Sequence, residues 1–113
     1  MADKKSSCIG LTFLLYPCEE DTRRFVAHCL ELDVVAVEDT KPKAIELLKE
    51  LIEDLVNAAT EDGTLDEIFH PAPIRYWQKL ASATRYTPPE RVIKRHIKAD
   101  RVRSVGYALA HAK

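Results

Sequence analysis

The segment from Thr40 to Ala59 constrains the fold most. Ala44, Leu48, Leu51, Ile52 and Leu55 recur at helical spacing, and Ile45, Leu47 and Val56 widen the stripe. Glu46, Lys49, Glu50, Glu53 and Asp54 take up much of the remaining surface. Thr40 is a good N-cap, and Pro42 is tolerated in a first helical turn. The spacing predicts an amphipathic helix of about four turns ending near Ala59. Its apolar face needs a second layer to lie on.

The residues before it supply that layer. Cys8 to Tyr16 is rich in aliphatic and aromatic residues and stops at Pro17, which reads as a strand followed by a polar turn. Arg23 to Leu30 reads as a second strand, with Phe25, Ala27 and Cys29 on one face and Arg24, Val26, His28 and Leu30 on the other. Val34 to Val37 is a short third strand rich in β-branched residues. Short connections favour antiparallel pairing. The expected class is α+β: a three- or four-stranded antiparallel sheet with one main helix packed on a face.

Beyond Gly63 the pattern weakens. Leu65 to Phe69 suits a short turn of helix. Ile74, Trp77, Leu80 and Ala81 fit a second, shorter helix after Pro71-Ala72-Pro73. Arg85 to Pro89 reads as a break. From there two readings stay open. Thr87-Pro88-Pro89-Glu90 has the form of a capping box that would start a helix carrying Val92, Ile93, His96 and Ile97. Val102, Val105 and Tyr107 are instead good strand formers. The expected organisation is an α+β domain over residues 1–70, then a short helix and a basic C-terminal extension over 71–113 that is not an independent domain.

With 113 residues, the chain has room for one domain with a modest core. Met1 to Ser7 is polar, and Cys8 to Tyr16 is too short to span a bilayer as a helix, so a cytoplasmic protein without membrane contact is expected. Cys8, Cys18 and Cys29 form no C-x-x-C pair, which predicts buried free thiols and no metal site or cofactor. Charge is divided unevenly. Residues 1–70 carry seven basic and sixteen acidic side chains, whereas 71–113 carry ten basic and two acidic ones. The two halves present opposite fields.

Catalytic readings are weak. Asp33, Glu38, Asp39 and Glu46 are carboxylates near the third strand and the helix, but metal-dependent nuclease chemistry needs several that converge on divalent ions. Alternation would send Glu38 and Asp39 to opposite faces, so a solvated acidic rim is the expectation. His28, Glu31 and Asp33 do not match a metal-ligand spacing, and His28 is expected as a partly buried or edge histidine. There is no Gly-rich phosphate loop or dinucleotide fingerprint. The expectation is a binding protein with no catalytic residues.

The run Phe25-Val26-Ala27-His28-Cys29-Leu30-Glu31-Leu32-Asp33-Val34-Val35-Ala36, followed by Asp39-Thr40 and Ala44, resembles the core of the N-terminal domain of the HicB antitoxin family. The resemblance extends from about Cys8 to Ala59. It implies a partial, catalytically degenerate RNase H-like fold that binds and neutralises HicA, a small toxin that cleaves messenger RNA. It also implies homo-oligomers. Two positions depart from the family pattern: Glu38 replaces the usual glycine before Asp-Thr, and Lys43 replaces a capping-box glutamate. Many members repress their own operon through a C-terminal DNA-binding domain. Residues 71–113 leave too little room for a full helix-turn-helix and show no ribbon-helix-helix pattern.

An RNA-cleaving toxin must present a basic surface, which an acidic one can occupy. The candidates are Glu31, Asp33, Glu38, Asp39, Glu46, Glu50, Glu53 and Asp54. The alternative reading is a stand-alone nucleic-acid-binding regulator of DNA or RNA, using Arg91, Lys94, Arg95, Lys98, Arg101 and Arg103 to neutralise phosphates.

Overall fold

The structure, a computed structural model, describes residues 7–86 and 102–112, and side chains over 10–86 and 107–112. Chain order is β1 (Ser7–Pro17), β2 (Phe25–Cys29), β3 (Val34–Glu38), α1 (Lys41–Asp62), a 3-10 turn (Leu65–Glu67), α2 (Ile74–Ala81), β4 (Thr84–Arg85) and β5 (Val102–His111). The strands form one sheet in the order β3-β2-β1-β5-β4. The protein is α+β with one main helix.

The sheet corrects the all-antiparallel expectation and its strand count. β1 pairs antiparallel with β2, and β2 with β3, as their short connections favour. β5, however, runs parallel to β1, from Ser7 beside Val102 to Leu15 beside His111, and β4 pairs antiparallel with β5. A parallel neighbour needs a long crossover, and the chain between β1 and β5 includes both helices. Proximity in sequence could not announce a strand that returns from so far away. Of the two readings for the C-terminal region, Val102–His111 is strand; the helix proposed from Thr87 lies outside the described residues. Residues 71–113 thus supply an inner strand of the same sheet.

α1 starts where Thr40 Oγ1 accepts the Lys43 amide at 3.2 Å, and Pro42 sits in its first turn. It runs three residues past Ala59 and stops at Gly63, whose φ of 72° is left-handed; the Thr64 amide then closes on the Ala59 carbonyl at 2.8 Å. Its buried face holds Ala44, Ile45, Leu48, Ile52, Glu53, Val56 and Ala59. This face is rotated toward Ile45 and Glu53 from the expected stripe, leaving Leu51 40% exposed at the margin. Beneath it lie Leu11, Phe13, Leu15, Ala27, Cys29, Leu32 and Ala36, with Tyr107 and Leu109 of β5 packed alongside. Lys41 Nζ donates to His111 Nδ1 at 2.9 Å and sits 5.5 Å from the Phe25 ring and from the Tyr86 ring, tying the start of α1 to the far end of the sheet.

The opposite face is covered in part. Leu14, Leu30 and Ala72 form a second, smaller core against Tyr76, Trp77 and Leu80 of α2. The Ala72 amide donates to the Leu30 carbonyl at 2.8 Å and Trp77 Nε1 donates to the Ala72 carbonyl at 3.0 Å, which anchors the start of α2 over β1. No described helix is long and apolar enough to cross a membrane.

The rotated stripe gives a direct check. Leu48→Ala should lower unfolding free energy by about 2–5 kcal/mol, because Leu48 is fully buried. Leu51→Ala should cost about 1 kcal/mol or less. Urea midpoints for the two variants, at unchanged slope, measure the difference.

Candidate functional site

Alternate side chains turn away from α1: Val26 and His28 on β2 with Leu30 just past its end, and Val35 and Val37 on β3. α2 reaches across β1 but leaves the β2–β3 part of this face open. The result is a groove of about 410 Å³. Val26, Val35 and Val37 line it, Tyr16 and Tyr76 form an aromatic wall, and the carboxylates of Glu19, Glu20 and Asp33 stand around it. Val35 is 47% exposed, the consequence of an apolar β3 with a helix on one side only.

At one end of the groove His28 joins three elements. The ring is 2% exposed. With its proton on Nε2, that nitrogen donates to Asp33 Oδ1 at 2.7 Å, while Nδ1 accepts from the Tyr16 hydroxyl at 3.0 Å. Both polar atoms of a buried imidazole are thereby satisfied. Tyr76 meets the His28 ring edge-on at 4.6 Å and stacks on Tyr16 at 5.9 Å. Burial, reinforced by Tyr76, holds the Tyr16 phenol well above its ordinary pKa, so it serves as a hydroxyl donor. Arg75 lies over the Tyr76 ring at 4.7 Å and Lys79 over the Tyr16 ring at 4.9 Å.

Asp33 is the positive-φ residue of this turn, at 56°. Its amide closes on the Cys29 carbonyl at 2.8 Å, reversing the chain between β2 and β3. A left-handed aspartate is tolerated but carries a cost, and the His28 hydrogen bond fixes which way its carboxylate points.

The eight acidic candidates do not form one patch. Glu31 turns inward and accepts from the Thr12 amide at 2.7 Å and the Thr12 hydroxyl at 2.8 Å, bracing the turn against β1. Asp33 lines the groove. Glu38 ends β3, half-buried, and the exposed Asp39 faces Arg24 at 3.6 Å. On α1, Glu53 is buried and Glu46 half-buried, while Glu50 and Asp54 are exposed. Among the basic candidates Arg103 falls in β5, and Arg91, Lys94, Arg95, Lys98 and Arg101 lie outside the described residues. Sequence reasoning passed over Tyr16, Val35, Val37 and Arg75. The available signal was a third strand apolar on both faces and a tyrosine two residues beyond Leu14, the partner of His28 across the sheet.

Among the described residues no three His, Cys, Asp or Glu side chains gather in a way that could hold a metal ion. Cys18 and Cys29 are free, and Cys29 is fully buried. No protein-family model, curated protein or solved structure matches the chain.

Two outcomes test this geometry. Tyr16→Phe removes the donor to a buried imidazole and should cost about 1–2 kcal/mol by urea unfolding, more than an exposed Tyr→Phe change would. Burial, with a smaller contribution from Glu31, pushes the Cys29 thiol from 9.0 up to about 11. The folded state therefore keeps a proton that the unfolded chain loses first. Stability should fall as pH rises from about 9 to about 11, with the raised Tyr16 and Tyr107 hydroxyls acting in the same sense. Urea midpoints across that range, with Cys29→Ala showing a shallower decline, provide the readout.

Proposed function

We propose that this chain is a non-catalytic, HicB-like antitoxin-type protein with a partial RNase H-like fold, which binds an RNA-cleaving, HicA-like toxin and occludes its RNA-binding surface. The observation that carries the reading is the coincidence of motif and groove. The run Phe25 to Ala44 that resembles the family spans β2, the Asp33 turn, β3 and the Thr40 cap as one continuous unit, and that unit provides the apolar floor and one of the carboxylates of the groove.

The mechanism needs no bond-making. A surface that binds phosphates is cationic, and the surplus of acid in residues 1–70 speeds its approach and opposes it on contact. The apolar strip along Val35 and Val37 then adds buried area, which decides how long the complex lasts. Such a protein works in the cytoplasm, where messenger RNA is translated, and as a homo-oligomer.

The test is co-purification of the tagged, full-length protein from its native cytoplasm, with the bound partner identified by mass spectrometry. The expected result is a small basic RNA-binding protein retained at moderate salt and released at high salt. Nucleic acid recovered without a protein partner would overturn the reading and favour a regulator acting through Arg91, Lys94, Arg95, Lys98, Arg101 and Arg103.

A further inference from the structure

β3 is an edge strand: it pairs with β2 on one side, and among the described residues no strand lies beyond it. Sheet edges are ordinarily blunted with lysine, proline or a bulge, because their unpaired amides and carbonyls invite another strand. Val34-Val35-Ala36-Val37 carries none of these. The strand also pairs in simple register with β2 from Cys29–Val34 to Phe25–Glu38. At this edge the Val37 carbonyl accepts only a long 3.5 Å contact from Arg24 Nη2, which an incoming strand would displace. The edge and the exposed Val35 adjoin the same groove, so an added strand would lay alternate side chains beside Val35 and Val37.

Charge selects the occupant. If β3 paired with a second copy, the antiparallel register overlapping the whole strand would set each Asp33 opposite an Asp39. Like charges directly opposite across a strand pair are destabilising. Asp39 has Arg24 at 3.6 Å, an exposed pair of small worth, so little of that repulsion is relieved. Asp33 at one end and Glu38 at the other instead complement a strand with cationic ends and an apolar centre. His28 holds the Asp33 carboxylate in place before any partner arrives.

From this we infer that the β3 edge and the groove beside it dock an extended segment of a partner protein, in which alternating apolar residues are flanked by lysine or arginine. The inference deepens the reading of the chain as a partner-binding protein and rests on it. The added strand continues the sheet through main-chain hydrogen bonds, its apolar side chains cover Val35 and Val37, and its terminal cations face Asp33 and Glu38. His28 is a positioning residue for this contact.

The experiment uses the full chain and a fluorescein-labelled probe peptide, Lys-Val-Thr-Val-Thr-Arg, which in antiparallel register sets its valines beside Val37 and Val35, its arginine at Asp33 and its lysine at Glu38. Fluorescence anisotropy should report saturable binding that weakens with salt. Replacing the terminal cations with glutamate, or N-methylating alternate backbone amides, should abolish it. Val35→Glu changes a half-exposed side chain and should weaken binding by about tenfold or more, a loss of about 1.4 kcal/mol. Asp33→Asn should weaken it severalfold and flatten the salt dependence. Circular dichroism confirms that each variant is folded. If a variant is not, backbone amide NMR shifts on the unaltered protein serve instead, and they should move first along Val34–Glu38. Equal binding of the glutamate-flanked peptide, shifts centred on α1, or a dimer dissolved by Val35→Glu would each overturn the inference. Partner capture with the same variant separates the two proposals. A toxin-type protein held equally by the Val35→Glu variant sinks the docking site and leaves the antitoxin reading standing. Peptide binding at β3 with no such protein recovered does the reverse.

Discussion

Over Phe13–Leu15, β1 has both faces out of water and both edges paired. Leu11, Phe13 and Leu15 pack toward α1, and Leu14 packs toward α2. β2 runs antiparallel along one edge and β5 parallel along the other. A strand in that position must be apolar on successive residues, and the unbroken run Phe13-Leu14-Leu15 meets the requirement. The two cores share this strand, so they are not separable units. Removing β5 would open the main core at Tyr107 and Leu109 and remove Ala110 from the smaller one.

The uneven cover on the two faces follows from helix length. α1 has 22 residues and α2 has 8, at about 1.5 Å of rise each. The longer helix spans its face of the sheet. The shorter one is pinned at Ala72 and Trp77 over β1 and cannot also reach β3. The groove is what remains of the second face. Its apolar floor exists because β3 keeps valine on both sides, Val34 toward α1 and Val35 and Val37 away from it. A strand meant only to cap the sheet would place polar residues at positions 35 and 37.

Local periodicity made the first half of the fold legible. Thr40, Pro42 and the apolar spacing through Val56 specify α1, and the alternation from Phe25 to Leu30 assigns the faces of β2 correctly. The hydrogen-bonded register, by contrast, could not be read from these residues. β5 contains good strand formers, but its parallel placement beside β1 depends on a return of the chain after two helices. The His28 cluster was hidden for a related reason. His28, Asp33 and Tyr16 come from a strand, a turn and the end of another strand, and only the β1–β2 register brings Tyr16 within 3.0 Å of the ring. The acidic candidates show how counting charges misleads. Glu31 and Glu53 add to the sum like any surface carboxylate, yet the structure uses one to brace Thr12 and buries the other beside the core.

The buried His28 sits between a tyrosine and an aspartate, and its surroundings hold both in place: burial keeps the Tyr16 phenol protonated as a donor, and Tyr76 meets the imidazole edge-on. The exposed end is Asp33, whose main chain is left-handed and whose Oδ1 is already committed to His28. What the arrangement does well is keep one carboxylate in a fixed direction at the mouth of an apolar groove. That lowers the entropy lost when a cation meets it, which is how a small surface gains affinity without gaining area.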